Sequence, residues 1–354
     1  MDPGKTTPIE STSNKLERFQ VIQVYYKVVS QHGIRADILV PQTDFGGKRP
    51  AIIRLHGGGL VVKLPAKFTY IQRADKLQIQ GDSLVPELFP RWLADLAYKH
   101  NAIIISGNYR LMPEATGLQI LQDVEDLWTY IHSPTLASVL YSRPIPIELD
   151  LDRLIVAGDS AGGLLSAYLA LSHPDNIRAG ILAYPMLDVQ SDAFSTPRER
   201  RITGLPFVPR SVLTEHCQNL ETGDIVSSAP QPDRSKLTSA VFHYGMFSEL
   251  YERESENSSR RGLLFPLDKL RETETKLPRG GICIFHCIDD DAVPVEGSRK
   301  FAEIARATMR GKQGGDKVVL TLLESGNHAF DFETDLDEPW LTNTLKHAVD
   351  TWLQ

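Results

Sequence analysis

The stretch Leu154 to Leu165, L-I-V-A-G-D-S-A-G-G-L-L, constrains this chain more than any other. Leu154, Ile155, Val156 and Ala157 have the length and branching of a buried strand. Gly158-Asp159-Ser160-Ala161-Gly162 follows, an instance of G-x-S-x-G. An apolar, alanine-rich helical pattern then runs through Leu164, Leu165, Ala167, Tyr168 and Leu171 and stops at His173-Pro174. Strand, sharp turn and helix form the context in which this motif presents a serine nucleophile. The turn bends the serine backbone into a conformation that only small neighbours tolerate, hence a glycine two residues before it and two after. Ser160 also falls at a helix N-terminus, where free N–H groups and the helix dipole favour negative charge.

The chain has 354 residues, enough for one large α/β domain or two small ones with a buried core. Hydrophobic residues make up 42% and charged residues 23%, ordinary for a soluble globular protein. A formal charge of −7 argues against nucleic acid or an anionic membrane as main partner. The opening M-D-P-G-K-T-T-P-I-E-S-T-S is polar and predicts no secretory signal. No apolar run approaches the length of a membrane span. Three cysteines do not make a disulfide framework. Cys283 and Cys287 fall on one predicted strand, whose rise separates them by roughly 13 Å, too far for a bridge. A reducing, cytoplasmic setting is expected.

Residues 1–18 read as a flexible N-terminus or part of a cap. Phe19 to Val29 and Ile34 to Val40 read as strands around Gln31-His32-Gly33, and Ala51 to Leu55 as a short strand. Residues 60–85 have no clean period and read as an irregular loop. A helix is predicted over Pro86 to His100, a strand over Ala102 to Ser106, a helix around Leu118 to Ile131, and a strand over Ile177 to Tyr184. This alternation predicts a mostly parallel central sheet with helices on both faces. Residues 189–275, rich in Pro, Ser, Arg and Glu, break the rhythm after the sixth strand, and the sheet pattern resumes afterwards with Gly281 to Ile288 and Val318 to Leu323. The segment therefore reads as a cap inserted between core portions 19–188 and 276–354, with apolar residues such as Phe194, Phe207, Phe242, Met246 and Phe247 facing a pocket or each other.

A serine hydroxyl is a poor nucleophile at neutral pH unless a base takes its proton and a third group orients that base. Candidates for both lie downstream, each just past a predicted strand, where open α/β sheets place their sites. The acid falls within Asp289-Asp290-Asp291 and the base is His328, in Ser325-Gly326-Asn327-His328-Ala329-Phe330. Spacing does not separate the three aspartates. At least two should belong to a solvated acidic turn, because three carboxylates cannot share one imidazole. Asp188, after an earlier strand, is the outside candidate. The tetrahedral intermediate of acyl transfer needs donors aimed at its oxygen. Gly57-Gly58-Gly59 bring backbone N–H groups close because no Cβ intervenes, and the N–H of Ala161, after the serine, is the expected second donor.

His56-Gly57-Gly58-Gly59, Tyr109-Arg110-Leu111-Met112-Pro113-Glu114 and Gly158-Asp159-Ser160-Ala161-Gly162-Gly163 resemble, in this order, the H-G-G-G, Y-R-L-A-P-E and G-D-S-A-G-G of the hormone-sensitive lipase family of α/β-hydrolases. The resemblance extends from about Ala51 to Phe332. It implies an α/β-hydrolase fold and hydrolysis of a small-molecule carboxylic ester without a cofactor or metal. In that pattern His56 shapes the glycine turn, Gly58, Gly59 and Ala161 supply the oxyanion N–H groups, and Tyr109 and Arg110 are structural. Many members place the acid in D-P-L-x-D. Here His286-x-x-x-Asp290-x-x-Val293-Pro294 resembles instead the more general H-G-x-x-D-x-x-V-P, which selects Asp290, with Cys287 in place of the glycine. The resemblance thus implies a Ser160–His328–Asp290 triad. Leu60, after the glycine turn, and Phe207, Met246 and Phe247 of the cap are expected to contact substrate. The acidic turn also resembles fungal members of natural-product pathways. Two other readings on the same fold stay open: a cyclase or lyase acting on a natural-product intermediate, and a ligand-binding receptor. So does a homodimer.

Overall fold

Successive side chains on a strand point to opposite faces, so a strand apolar at every position must be covered on both sides. Ala51-Ile52-Ile53, Ile103-Ile104-Ile105 and Leu154-Ile155-Val156-Ala157 are such runs, and all lie buried in adjacent parallel strands. The computed structural model describes residues 14–43, 46–61, 84–197, 202–203, 205–228 and 234–354. Its strands are β1 (Phe19–Val29), β2 (His32–Pro41), β3 (Gly47–Leu55), β4 (Ile103–Gly107), β5 (Ile147–Asp159), β6 (Ile177–Ala183), β7 (Ile282–Cys287) and β8 (Val318–Leu323). They form one eight-stranded sheet in the order β1-β2-β4-β3-β5-β6-β7-β8. β2 pairs antiparallel with β1 and β4, and every other pair is parallel.

One face is covered by α1 (Arg91–Lys99) and α11 (Pro339–Leu353), whose Trp92 and Trp352 share an apolar cluster with Ile155, Ala157 and Phe285. The other face carries α2 (Gly117–Ile131), α3 (Pro134–Tyr141), α4 (Ala161–Ser172) and α10 (Glu296–Thr308), clustered around Leu154, Val156 and Ile284. Between β6 and β7 run the short helices α5 (Asp192–Ser195), α6 (Ser211–Gln218), α7 (Arg234–His243), α8 (Phe247–Glu252) and α9 (Pro266–Lys269), with no strand among the described residues. Because β3, β5, β6, β7 and β8 are parallel, their C-terminal ends emerge along one edge, and that edge carries the predicted site.

Three expectations change. The helix over Pro86 to His100 is two pieces, a 3-10 turn at Pro86–Leu88 and α1, with Phe89 and Pro90 extended between them. Pro90 has no N–H to donate and its ring disfavours helical backbone at Phe89. Helix α3 was not expected; Ser133 caps it and Pro134 opens it. Residues 14–16 are docked rather than loose: Leu16 is buried and Lys15 donates to the carbonyls of Phe89 and Phe332. Residues 1–13 and most of the loop expected over 60–85 lie outside the described residues. Cys217, Cys283 and Cys287 are all free. Among the described residues no helix is long and apolar enough to cross a membrane.

Candidate active site

Ser160 joins β5 to α4 with φ 55° and ψ −118°, backbone that a residue bearing a Cβ adopts only under constraint. The constraint comes from β6 and the segment just after it: the Ser160 N–H donates to Ala183 O (2.9 Å) and its carbonyl accepts from Met186 N–H (3.2 Å). The flanking glycines allow close crossing. A Cβ on Gly158 would lie 2.2 Å from Gly162 O, and one on Gly162 would lie 2.0 Å from Leu55 O. Asp159 ties this turn to the glycine turn after β3. One carboxylate oxygen pairs with the buried Arg54 (3.1 Å) and the other accepts the Gly57 N–H (3.0 Å). Signals for this staple were the arginine inside an apolar strand and the aspartate before the serine.

The His328 Nε2 lies 3.0 Å from Ser160 Oγ, and its Nδ1 lies 2.8 Å from Asp290 Oδ2. All three residues are buried or nearly so. The other Asp290 oxygen accepts the N–H groups of Ala292 and Val293, each at 2.9 Å. Burial works against the charge on Asp290, but His328 and His286 beside it hold its carboxyl well below the usual carboxylate range. Burial likewise opposes protonation of His328, yet Asp290 raises that imidazole above its ordinary value.

The other two aspartates are not merely a solvated turn. Asp289 accepts the Gly326 N–H (3.0 Å), joining the acid turn to the histidine turn, and Asp291 accepts the Thr203 N–H (3.0 Å). Asp188 pairs with Lys300. Spacing alone could not assign these partners, because each lies on a different element.

Gly58 and Gly59 have φ values of 116° and 62°. Among the described residues, the N–H groups of Gly58, Gly59 and Ala161 have no hydrogen-bond partner. His56 supports the glycine turn as expected, its Nδ1 2.8 Å from Gly57 O and its ring stacked 4.4 Å from that of Tyr109. Tyr109 Oη donates to His56 O (2.6 Å), and Arg110 is occupied by Asp123.

The predicted substrate-contact residues are dispersed. Leu60 is fully buried and its carbonyl accepts the Met112 N–H. Phe247 is buried against Phe194, Phe242 and Tyr251. Phe207 is 58% exposed beside His243, and half-buried Met246 meets Arg210. Phe242 of this segment reaches the glycine turn: its ring would lie 2.4 Å from a Cβ on Gly59. In the sequence Phe242 is one aromatic residue among several, and only the crossing of α7 over Gly59 singles it out.

Sequence reasoning also passed over Tyr184, Asp331 and the environment of His286. The Tyr184 ring packs edge-on to His328 (4.7 Å, 64°), and its hydroxyl donates to Asp331 (2.6 Å), which also accepts from Trp92 Nε1 (2.8 Å). Burial pushes the Asp331 carboxyl up to about 6. The position of Asp331 three residues after His328 was the available signal. No cluster of three or more His, Cys, Asp or Glu side chains among the described residues is arranged to hold a metal ion.

A family model described as the α/β hydrolase fold matches residues 85–239. A probable carboxylesterase of Phoma sp., M8, is 28% identical over 334 residues, 92% of this chain and 94% of its own. A second, clz11 of Cochliobolus lunatus, is 38% identical over 125 residues, 34% of this chain and 57% of its own. Among solved structures, a Staphylococcus aureus protein of unknown function superposes with a TM-score of 0.60 at 18% identity, over 94% of this chain and 98% of its own. The superposition shows the fold; the family match and relatives agree with the three ordered motifs. The chain has the α/β-hydrolase fold, and its matches are consistent with the three ordered motifs that resemble those of the hormone-sensitive lipase family.

Proposed function

We propose that the protein is a serine carboxylesterase acting on an ester of a small or medium-sized, fairly apolar molecule. The observation that carries this reading is the unbroken chain from Ser160 Oγ through His328 to Asp290, with contacts of 3.0 and 2.8 Å. Similarity to two probable carboxylesterases supports it. Ser160 Oγ attacks the ester carbonyl carbon while His328 Nε2 takes its proton. Asp290 keeps the proton on Nδ1 and stabilises the imidazolium. The N–H groups of Gly58, Gly59 and Ala161 receive the oxyanion. As the tetrahedral intermediate collapses, His328 protonates the leaving alcohol. Water, deprotonated by the same imidazole, then hydrolyses the acyl-serine to a carboxylic acid and free Ser160. This chemistry calls on no cofactor. Residues 189–275 act as the cap, and free thiols at Cys217, Cys283 and Cys287 fit a reducing cytoplasmic setting.

The test is a panel of esters of increasing acyl length, combined with intact-protein mass spectrometry after fluorophosphonate treatment. One adduct on Ser160 is expected, absent in Ser160→Ala, whose turnover falls by about four orders of magnitude or more. Labelling of another serine, or full activity in that variant, rejects the mechanism. No ester hydrolysis, with turnover of a complex natural product surviving in Ser160→Ala, selects the cyclase or lyase instead.

A further inference from the structure

Asp290 is held from a second side that the triad itself does not use. His286, fully buried on β7, places Nε2 3.0 Å from Val293 O and 3.2 Å from Asp290 Oδ2, and Nδ1 2.8 Å from Ser298 Oγ. Two acceptors face Nε2, so that nitrogen carries the proton, and Nδ1 accepts from the Ser298 hydroxyl. The Val293 N–H is bonded to Asp290 Oδ1, so the ring closes both ends of the turn from Asp290 to Val293.

We infer that His286 is a positioning residue of the proposed triad: held as the Nε2–H tautomer by Ser298, it fixes the Asp290 carboxylate against His328. The inference rests on the esterase reading above. The two histidines share one oxygen, Asp290 Oδ2. The His286 Nε2–H is bonded to Val293 O and stands 3.2 Å from Asp290 Oδ2, so its positive end stabilises the carboxylate charge and limits how strongly it draws a proton onto His328. The other groups facing this pair are Asp159 and Asp291, which also raise His328, and the Tyr184 ring, which packs edge-on to both imidazoles from the end of β6. Removing the His286 N–H frees the turn and leaves Asp290 Oδ2 to His328 alone. The imidazole then holds its proton more tightly, and activity needs higher pH.

The experiment compares His286→Leu, His286→Gln and Ser298→Ala with the parent enzyme, using pH profiles of kcat and kcat/KM on one small ester. For His286→Leu, kcat is expected to fall about 10- to 100-fold with KM within about twofold, and the acid limb of kcat/KM to move up by about half to one pH unit. Glutamine, which restores an N–H, recovers part of both. If His286→Leu does not fold, Ser298→Ala decides, with a several-fold lower kcat and an upward limb shift. A general loss of packing would lower activity without moving the limb, so an unmoved acid limb in the folded variants, or a loss confined to KM, overturns the inference. A parent protein that neither hydrolyses esters nor takes fluorophosphonate at Ser160 overturns the esterase reading beneath it; an active, labelled parent with unmoved variants overturns this inference alone.

Discussion

At the strand ends, the groups around Ser160 are joined by short hydrogen bonds from backbone or adjoining residues: Ser160 N–H to Ala183 O, Gly57 N–H to Asp159, Ala292 and Val293 N–H to Asp290. The segment 189–275 meets the same site differently. Its helices are short, α7 having ten residues, and they approach through side chains. Phe242 lies on Gly59. Arg234, buried, reaches Val61 O (2.9 Å), Met112 O (2.7 Å) and both oxygens of Glu114 (2.7 and 2.9 Å). One region is fixed by sheet geometry that no single side chain can replace. The other is attached by a few large side-chain contacts.

The largest expected effect lies on the rigid side. Asp290→Asn should lower turnover about 10³- to 10⁴-fold, because an amide no longer stabilises the imidazolium or enforces its tautomer. Asp289→Asn and Asp291→Asn should cost less than about tenfold, since they bond Gly326 and Thr203 rather than His328. Steady-state kinetics on one small ester checks this, and comparable losses at Asp289 would move the boundary of the rigid region outward.

A smaller effect tests the attachment. Arg234→Met leaves Glu114 buried with His216 (3.0 Å) as its only ionisable partner among the described residues, a substitution of the kind that costs about 3 to 5 kcal/mol. Denaturant unfolding of the two proteins measures it. An unchanged midpoint would mean that apolar packing alone holds the segment down.

The smallest effect tests selectivity. Phe207→Ala removes a largely exposed ring, so stability and turnover of a very small acetate ester should change less than about twofold, while kcat/KM for bulky esters falls several-fold. Phe242→Leu, by contrast, should affect both, because its ring touches the glycine turn. Equal losses on small and bulky esters at Phe207 would show that the segment serves stability rather than selection.

Much of the rigid region could be read from the chain. Glycines at 158 and 162 announce the close crossing of α4 over β3 and β5, and apolar runs such as Leu154 to Ala157 announce strands covered on both faces. These are demands of local dihedral angle and of burial periodicity, and neighbours in sequence are enough to express them. His328 could be selected as the candidate base because it follows a strand in the right order. The partners of Asp289 and Asp291, the closure of the acid turn by His286, and the contact of Phe242 with Gly59 could not. Each depends on side chains brought together from elements distant in the chain, as Ser160 and His328 are across 168 positions. Strand order in the sheet and the path of the segment between β6 and β7 decide such meetings, and these follow from how all the apolar faces are buried at once. The sequence by itself determined which turn holds the serine and what conformation that turn must take. Only the tertiary structure decided what Asp289, Asp291 and His286 bond around that turn, because hydrogen bonds a few ångströms long depend on the packing of the whole sheet rather than on the spacing of its letters.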